Sequence, residues 1–590
     1  MRERDEPRPV LLWCLALLPV LAAYANAVDV GFMWDDRVLI EQNAELHTLH
    51  APWSYLTRSF WQHAFLHGQG HAFYRPLVTY SLALDWAVGG GSPSWFHVTN
   101  VGLHLTVCTL VFVLARRRGA SGLGAMVATM FFGVMPRLTE SVTWVVGRTD
   151  VLATLGALCA VWLAEQKRGR WFAPFALFLA LMAKEVAIIG VALVFADAAL
   201  RVREKKSSPR DELPMLGGMV LAVVAWWLFR AQVPSNQPLR LHDAQTFFAG
   251  LGHYAWMTLT PWNPVAQIGF VLEPERWAVA LGVVATVVVT ALAFKWWRSA
   301  TPWRALWLLG AAGGVVIVSV VVLTVYTLAS DRFLYLPFAL SAVVLAQWRW
   351  PRPALIIAVV ASLALAVVTW KHNELWANPL RFWTEVKHTS SPKNPGALAG
   401  LGDALYDLNR FEDAKPLYEQ AEAQRADEAH SPTRLSLASV DSRLGNDAAA
   451  IARLDAILRA EPDWKRAAYA LVLFHARAGD FVAADQALKN ARARFGDDDV
   501  LQSFAKMLEE VPPKFGSEQV IERARGLHAL EATRKAEREY LTLLDDPAHR
   551  DEAAKWLVIF GSEASARRAV EATGDAAMQA EYDDRFPREL

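Results

Sequence analysis

The segment Ala354–Trp370 reads ALIIAVVASLALAVVTW, an uncharged apolar run close to the ~20 residues that a bilayer-crossing helix needs. The other long apolar runs of this 590-residue chain all precede it. After Trp370 the sequence turns charged, Ala-rich and helical in pattern. The two parts are therefore built for different solvents, and averages such as 54 % hydrophobic and 20 % charged residues conceal the division. Lys plus Arg equal Asp plus Glu at 59 each, so no general basic surface argues for nucleic acid as a partner. Several of the 25 Trp residues, among them Trp171, Trp277, Trp303 and Trp348, sit at the ends of apolar runs, as in an interfacial aromatic belt.

Working back from Trp370, apolar runs near 10–28, 97–115, 121–137, 142–164, 171–183, 186–200, 213–231, 276–294, 304–328 and 333–348 join 354–370 to give eleven candidate spans. The fifth and sixth are short and read as a tight hairpin turning at Lys184-Glu185. Basic residues cluster in alternate loops, at Arg2/Arg4/Arg8, Arg116-Arg117-Arg118, Lys167-Arg168-Arg170, Arg201 to Arg210, Lys295-Arg298-Arg304 and Arg349-Arg352. The positive-inside rule puts these loops and the N-terminus in the cytoplasm. The 29–96 loop, the 232–275 loop, Ser330-Asp331-Arg332 and everything after Trp370 then lie outside. Composition favours a bacterial inner membrane, with the tail periplasmic. Ala25-Asn26-Ala27 also resembles a signal cleavage site, but a bundle needs its first helix as packing.

From Asn394 a repeat of about 34 residues appears at tetratricopeptide (TPR) offsets. Leu401-Gly402, Leu405, Ala414, Tyr418 and Ala421 are followed by Leu437-Ala438, Gly445, Ala450, Leu454, Ile457 and Pro462. Leu471, Gly479, Ala484, Leu488 and Ala491 form a third unit. The expected fold class is all-α. A polytopic membrane bundle (1–370) and a junction helix (371–393) precede a TPR-type α-solenoid (394–500) and a degenerate TPR-like helical region (501–590). Such repeats offer a concave surface suited to an acceptor protein or peptide.

On this topology several charges converge on the outer side, where desolvation makes them costly unless they are paired or functional. They are Asp35 and Asp36 after the first span, Arg75, Glu140, Arg148, Asp150, Lys184, Glu185, Asp331 and Arg332. Acids that can accept a proton stand beside cations that can hold a phosphate, the inventory for breaking a sugar–phosphate bond at a membrane surface. Duller readings stay open. Arg148 with Asp150, Lys184 with Glu185 and Asp331 with Arg332 could be local ion pairs. Asp35-Asp36 could cap a helix starting near Val38, and Arg75 could snorkel. His97, Asn100 and His104 share one helical face, which fits hydrogen bonding between helices better than a metal site. Cys14, Cys108 and Cys159 lie far apart in apolar segments and give neither a zinc spacing nor a disulfide framework.

The motifs Trp34-Asp35-Asp36-Arg37, Tyr74-Arg75-Pro76-Leu77, Phe96-His97-Val98-Thr99-Asn100 and Glu140-Ser141-Val142-Thr143-Trp144 occur in that order. Val146-Gly147-Arg148-Thr149-Asp150, Ala183-Lys184-Glu185 and Asp331-Arg332-Phe333-Leu334-Tyr335 follow. In this order they resemble the transmembrane and TPR-containing O-mannosyltransferases (TMTC proteins) and their bacterial relatives, within the GT-C superfamily of glycosyltransferases. The resemblance implies a GT-C-like bundle that moves a sugar, mannose in the animal enzymes, from a polyprenyl-phosphate donor to Ser or Thr hydroxyls. Asp35 and Asp36 match the family's acidic pair. One of them, Asp35 by preference, would accept the acceptor's proton, while Asp36 positions it or helps hold a divalent cation such as Mg or Mn. Lys184, Arg332, Arg148 and Arg75 would hold the donor phosphate. Glu140, Asp150, Glu185, Asp331, His97 and His104 would support them. Membrane lipid and the acceptor at the TPR region are the other expected partners. A non-catalytic membrane TPR scaffold for envelope assembly is the alternative, with a lipid-linked-substrate transporter third.

Overall fold

The computed structural model describes residues 8–61, 73–233, 243–264, 268–269, 274–321, 327–389, 394–424, 432–515 and 517–586. The chain forms two compact units, one essentially residues 1–382 and the other essentially 392–590. Both are helical. Among the described residues the only β-structure is a short antiparallel pair, Ile268–Gly269 with Thr327–Ala329, in the first unit.

The eleven candidate spans coincide with helical structure, except that the ninth, 304–328, is helical only to Val321, with 322–326 outside the described residues and Thr327 in the short strand; by length fewer of them qualify. Among the described residues six helices are long and apolar enough to cross a membrane: Pro9–Asp29, Pro93–Arg117, Val145–Ala164, Pro209–Arg230, Arg276–Trp297 and Arg352–Trp376. A seventh is the bent pair Gly122–Gly133 and Pro136–Val142, kinked by 53°. Gly169–Leu181 and Trp303–Ser319 are apolar but shorter. Ile188–Arg203 and Tyr335–Leu345 are helices below that standard. The last span also runs on to Trp376 instead of stopping at Trp370. Val283, Val284, Ile356, Ile357 and Val360 are exposed large apolar residues on two of the spans, the surface expected of helices solvated by lipid. By these helices the first unit is a multi-pass membrane bundle.

The 53° bend has a local cause. Pro136 has no N–H to give the helix and forces Met135 out of the helical region, to ψ 118°. From there to Arg148 the chain runs through short turns, Pro136–Leu138, Thr139–Val142 and Val145–Gly147, with every residue buried. Such a segment leaves carbonyls unpaired, and Asn100 of the neighbouring helix answers three of them. Its Nδ2 donates to Val142 O, Trp144 O and Val145 O at 3.1, 3.2 and 3.1 Å. Gly147 closes the turns: a Cβ there would lie 2.2 Å from Glu140 O. The last spanning helix fastens the same segment, since Thr143 Oγ1 donates to Asn373 Oδ1 (2.7 Å) and Thr139 Oγ1 lies 2.7 Å from His372 Nδ1.

The two long loops are more structured than their composition implies. The 29–96 region holds the helix Pro76–Gly89, and the 232–275 region holds Ala244–Leu259. In the second unit the repeats are helical hairpins: Pro395–Asp407 with Phe411–Ala423, Pro432–Arg443 with Asp447–Ala460, and Lys465–Ala478 with Phe481–Phe495. The signature residues Leu401, Ala414, Tyr418, Ala421, Ala438, Ala450, Leu454, Ala484 and Leu488 are buried. A Cβ on Gly402 would meet the Tyr418 ring at 2.8 Å, which is why a glycine stands at that repeat position. Helices continue to Arg585, where Leu527, Leu530, Tyr540, Trp556 and Leu557 share a core with Ala476 and Ala484 of the third hairpin.

Gly147→Ala is expected to lower the thermal midpoint of the detergent-purified protein, since overpacking costs about 1–3 kcal/mol. Gly31→Ala, where nothing lies within 4 Å of the added carbon, should leave it unchanged.

Candidate active site

Asp35 and Asp36 sit in a turn that opens a short π-helical stretch, Arg37–Glu41. Neither caps it. Asp36 is buried, and its two carboxylate oxygens accept from separate backbone donors, Val146 N–H at 2.9 Å and Met33 N–H at 3.3 Å. Asp36 thus pins its own turn to the Val145–Gly147 turn. Burial pushes its carboxyl up to about 8, against the pull of those N–H groups. Asp35 keeps partial exposure. Burial raises it to about 6, with Arg332 and then Arg75 as the charges drawing it down. Of the pair, Asp35 is the one whose carboxylate lies in the field of cations.

Arg332 lies in the turn Asp331–Leu334, ahead of Tyr335–Leu345. Glu140 holds it, accepting from Arg332 N–H at 2.8 Å and facing its guanidinium at 3.4 Å, while Ser330 Oγ donates to both Glu140 oxygens. The guanidinium also lies over Trp144 at 5.1 Å and Phe333 at 5.1 Å. Lys184 Nζ lies against the same Phe333 ring, 4.5 Å from its centre. Lys184 donates to both oxygens of Asp150 at 2.6 and 2.7 Å, and burial brings its ammonium down to about 8. Arg75 stands just before Pro76–Gly89, its guanidinium over Phe73 at 4.9 Å and Phe60 at 5.8 Å, with Nε buried and unbonded. Burial lowers its affinity for a proton, offset by the charges of Glu185, Asp150 and Asp35. Asp35, Arg75, Lys184, Glu185 and Arg332 therefore form one electrostatic cluster, drawn from four separate parts of the chain.

Other expected residues are used differently. Arg148 is fully buried, with Nη1 2.6 Å from Asp85 Oδ2 and Nη2 donating to Phe96 O at 3.1 Å. It is committed to Asp85 and leaves the phosphate-holding set. Asp331 pairs with Arg137 Nη1 at 2.6 Å, and Arg137 Nη2 donates to Thr260 O at 2.8 Å. His104 bridges Tyr335 OH (2.6 Å) and Gly133 O (2.9 Å), a helix-to-helix hydrogen bond. His97 is buried with both ring nitrogens unbonded. None of the three local ion pairs forms: neighbouring residues on a turn point in different directions, so each charge finds its partner far along the chain. Asp85 and Arg137 escaped the sequence reading, although a lone acid in the apolar stretch Leu82–Trp86 was a signal.

A divalent cation fits this site poorly. Both Asp36 oxygens already accept N–H groups, the groups facing Asp35 are cations, and the described residues contain no group of three His, Cys, Asp or Glu placed to hold a metal.

The fold and this cluster define a class: multi-pass membrane proteins with a helical-repeat unit and an acid–cation site built from the turns between helices. Within it, the chain is similar to named O-mannosyl-transferases. It is 35 % identical over 150 residues to protein O-mannosyl-transferase Tmtc1 of Drosophila melanogaster, covering 25 % of this chain and 17 % of that protein. It is 35 % identical over 136 residues to TMTC2 of Homo sapiens (23 % and 16 %) and 28 % identical over 150 residues to TMTC3 of Homo sapiens (25 % and 16 %). The similarity thus spans about a quarter of the chain and under a fifth of these relatives' length. No family model matches the chain.

Because a half-removed buried ion pair leaves an uncompensated charge, Arg148→Met is expected to cost about 3–5 kcal/mol. In thermal unfolding, the double variant Arg148→Met/Asp85→Leu should recover much of that loss.

Proposed function

We propose that this protein is a membrane glycosyltransferase. It moves a sugar, mannose by analogy with its named relatives, from a polyprenyl-phosphate donor to a protein hydroxyl on the non-cytoplasmic side. What carries this reading is the partly exposed Asp35 lying in the field of Arg332 and Arg75, with Arg332 and Lys184 both against the Phe333 ring. An anionic glycolipid needs several cations at its phosphate, and a hydroxyl nucleophile needs a carboxylate beside them.

The reaction is a single displacement. The acceptor oxygen forms a bond to the anomeric carbon as the bond from that carbon to the phosphate oxygen breaks, inverting the configuration. The polyprenyl phosphate leaves with the bonding electrons. Arg332, Arg75 and Lys184 neutralise the charge that grows on it, and Asp35 takes the proton of the acceptor hydroxyl. Asp36 holds the turn that presents Asp35. The metal-poor character of the donor set leaves these cations to do the neutralising. The helical repeats supply a surface for the acceptor protein.

The test is incubation of the purified protein with labelled polyprenyl-phospho-mannose and its glucose counterpart, scoring transfer to peptide and hydrolysis. Asp35→Asn is expected to lower kcat about 10²–10⁴-fold without unfolding the protein. Asp35 works ionised, so kcat/KM should climb as pH rises through about 6 and level off above it, and Asp35→Asn should lose that limb. Activity should survive chelator. Full activity of Asp35→Asn sinks the base assignment. No turnover of any polyprenyl-phospho-sugar, by an intact protein that still binds protein partners, favours the scaffold.

A further inference from the structure

Trp34 holds a backbone conformation that a bulky residue rarely adopts, with φ 55° in the left-handed region. Such strain persists only where the surroundings over-determine it. Here the surroundings are aromatic. The Trp34 indole stacks on Trp144, ring centres 5.0 Å apart and planes 21° from parallel, and Trp144 stacks in turn on Trp376 at 6.5 Å and 17°. Trp144 is 4 % and Trp376 1 % exposed. Trp376 ends the last spanning helix, whose final turns are fixed to the first: Asn373 Nδ2 donates to Ala23 O and Asn26 Oδ1, and Asn26 Nδ2 donates to Trp370 O, each at 2.9 Å. The stack therefore begins at a rigid helix end and finishes at the residue before Asp35.

Arg332 rests on the same stack. Its guanidinium lies 5.1 Å from the Trp144 ring centre and 6.0 Å from that of Trp34. One set of indoles thus touches both the turn that carries Asp35 and the cation that faces it. We propose that the Trp34–Trp144–Trp376 stack is a positioning element that fixes the separation between Asp35 and Arg332. Asp36 supplies the second fastening through Met33 and Val146, so the turn is cross-linked to the Trp144–Val146 strip at two points. With either point lost, Trp34 relaxes out of its left-handed conformation and swings Asp35 away from the guanidinium. A misplacement on the order of 1 Å is enough to cost about 10²-fold in rate. None of the three indoles is asked to touch the reacting atoms.

The consequence for rate rests on the glycosyl-transfer reading, whereas the geometry does not, so the test has two arms. Full-length protein and the variants Trp144→Leu, Trp144→Phe and Trp376→Leu are compared by amide hydrogen exchange over Met33–Glu41 and by kcat with labelled polyprenyl-phospho-mannose. Trp376→Leu is decisive, because Trp376 contacts neither charge. Both leucine variants are expected to speed exchange of the Met33–Glu41 amides about tenfold, the equivalent of one lost aromatic pair. Both should lower kcat about 10²-fold, while Trp144→Phe keeps most of each. Unchanged exchange in Trp376→Leu overturns the proposal, as does equal loosening of the Pro93–Arg117 helix, which would mark the indoles as ordinary core. If the parent protein transfers no sugar, the glycosyl-transfer reading fails and the exchange arm still decides the stack. If Trp144→Leu does not fold, Trp376→Leu and Trp144→Phe carry the comparison.

Discussion

A charge buried in a helical bundle is tolerated only when another charge or several hydrogen bonds meet it, and the membrane unit of this protein is organised by that requirement. Asp85 and Arg148 join Pro76–Gly89 to the helix that starts at Arg148. Asp150 and Lys184 join that helix to the turn ahead of Ile188–Arg203, and Arg137–Asp331 and Glu140–Arg332 bring the bent third span against the Ser330–Leu334 turn. Every pair links parts of the chain that are distant in sequence. They draw the short, buried turns together, and beside them lies the acid–cation cluster, partly exposed apart from the buried Lys184.

The two aspartates divide their work by exposure. Asp36 uses its oxygens on two backbone N–H groups and so fixes the turn. Asp35, with partial access, faces Arg332 and Arg75. The same logic seals Arg148 against Asp85, whereas Lys184 has one carboxylate partner and a neighbouring aromatic face. At this site burial raises the Asp35 carboxyl and the two cations draw it part of the way back.

Membrane character, the helical class of both units and the phase of the repeats were legible because each is a local, periodic property. An apolar run declares a spanning helix whatever lies around it, and Leu401, Ala414 and Leu454 fall on buried faces because 3.6-residue periodicity places them there. Hydropathy does not measure helix length, which is why several apolar runs, such as those of Gly169–Leu181 and Trp303–Ser319, form helices shorter than a full span. The helices Pro76–Gly89 and Ala244–Leu259 passed as loop because they do not span, and their capping and packing are tertiary matters.

By itself the sequence determined which residues could do chemistry, the two solvents of the chain and the order in which the charged motifs occur. The tertiary structure decided which charges are spent on each other. Arg148 and Arg332 look alike in their motifs, yet one is sealed against Asp85 and the other lies over Trp144 beside Asp35. The physical reason is that pairing depends on distance in space and on burial. Both are set by the packing of helices far apart in the chain, and no spacing along it records them.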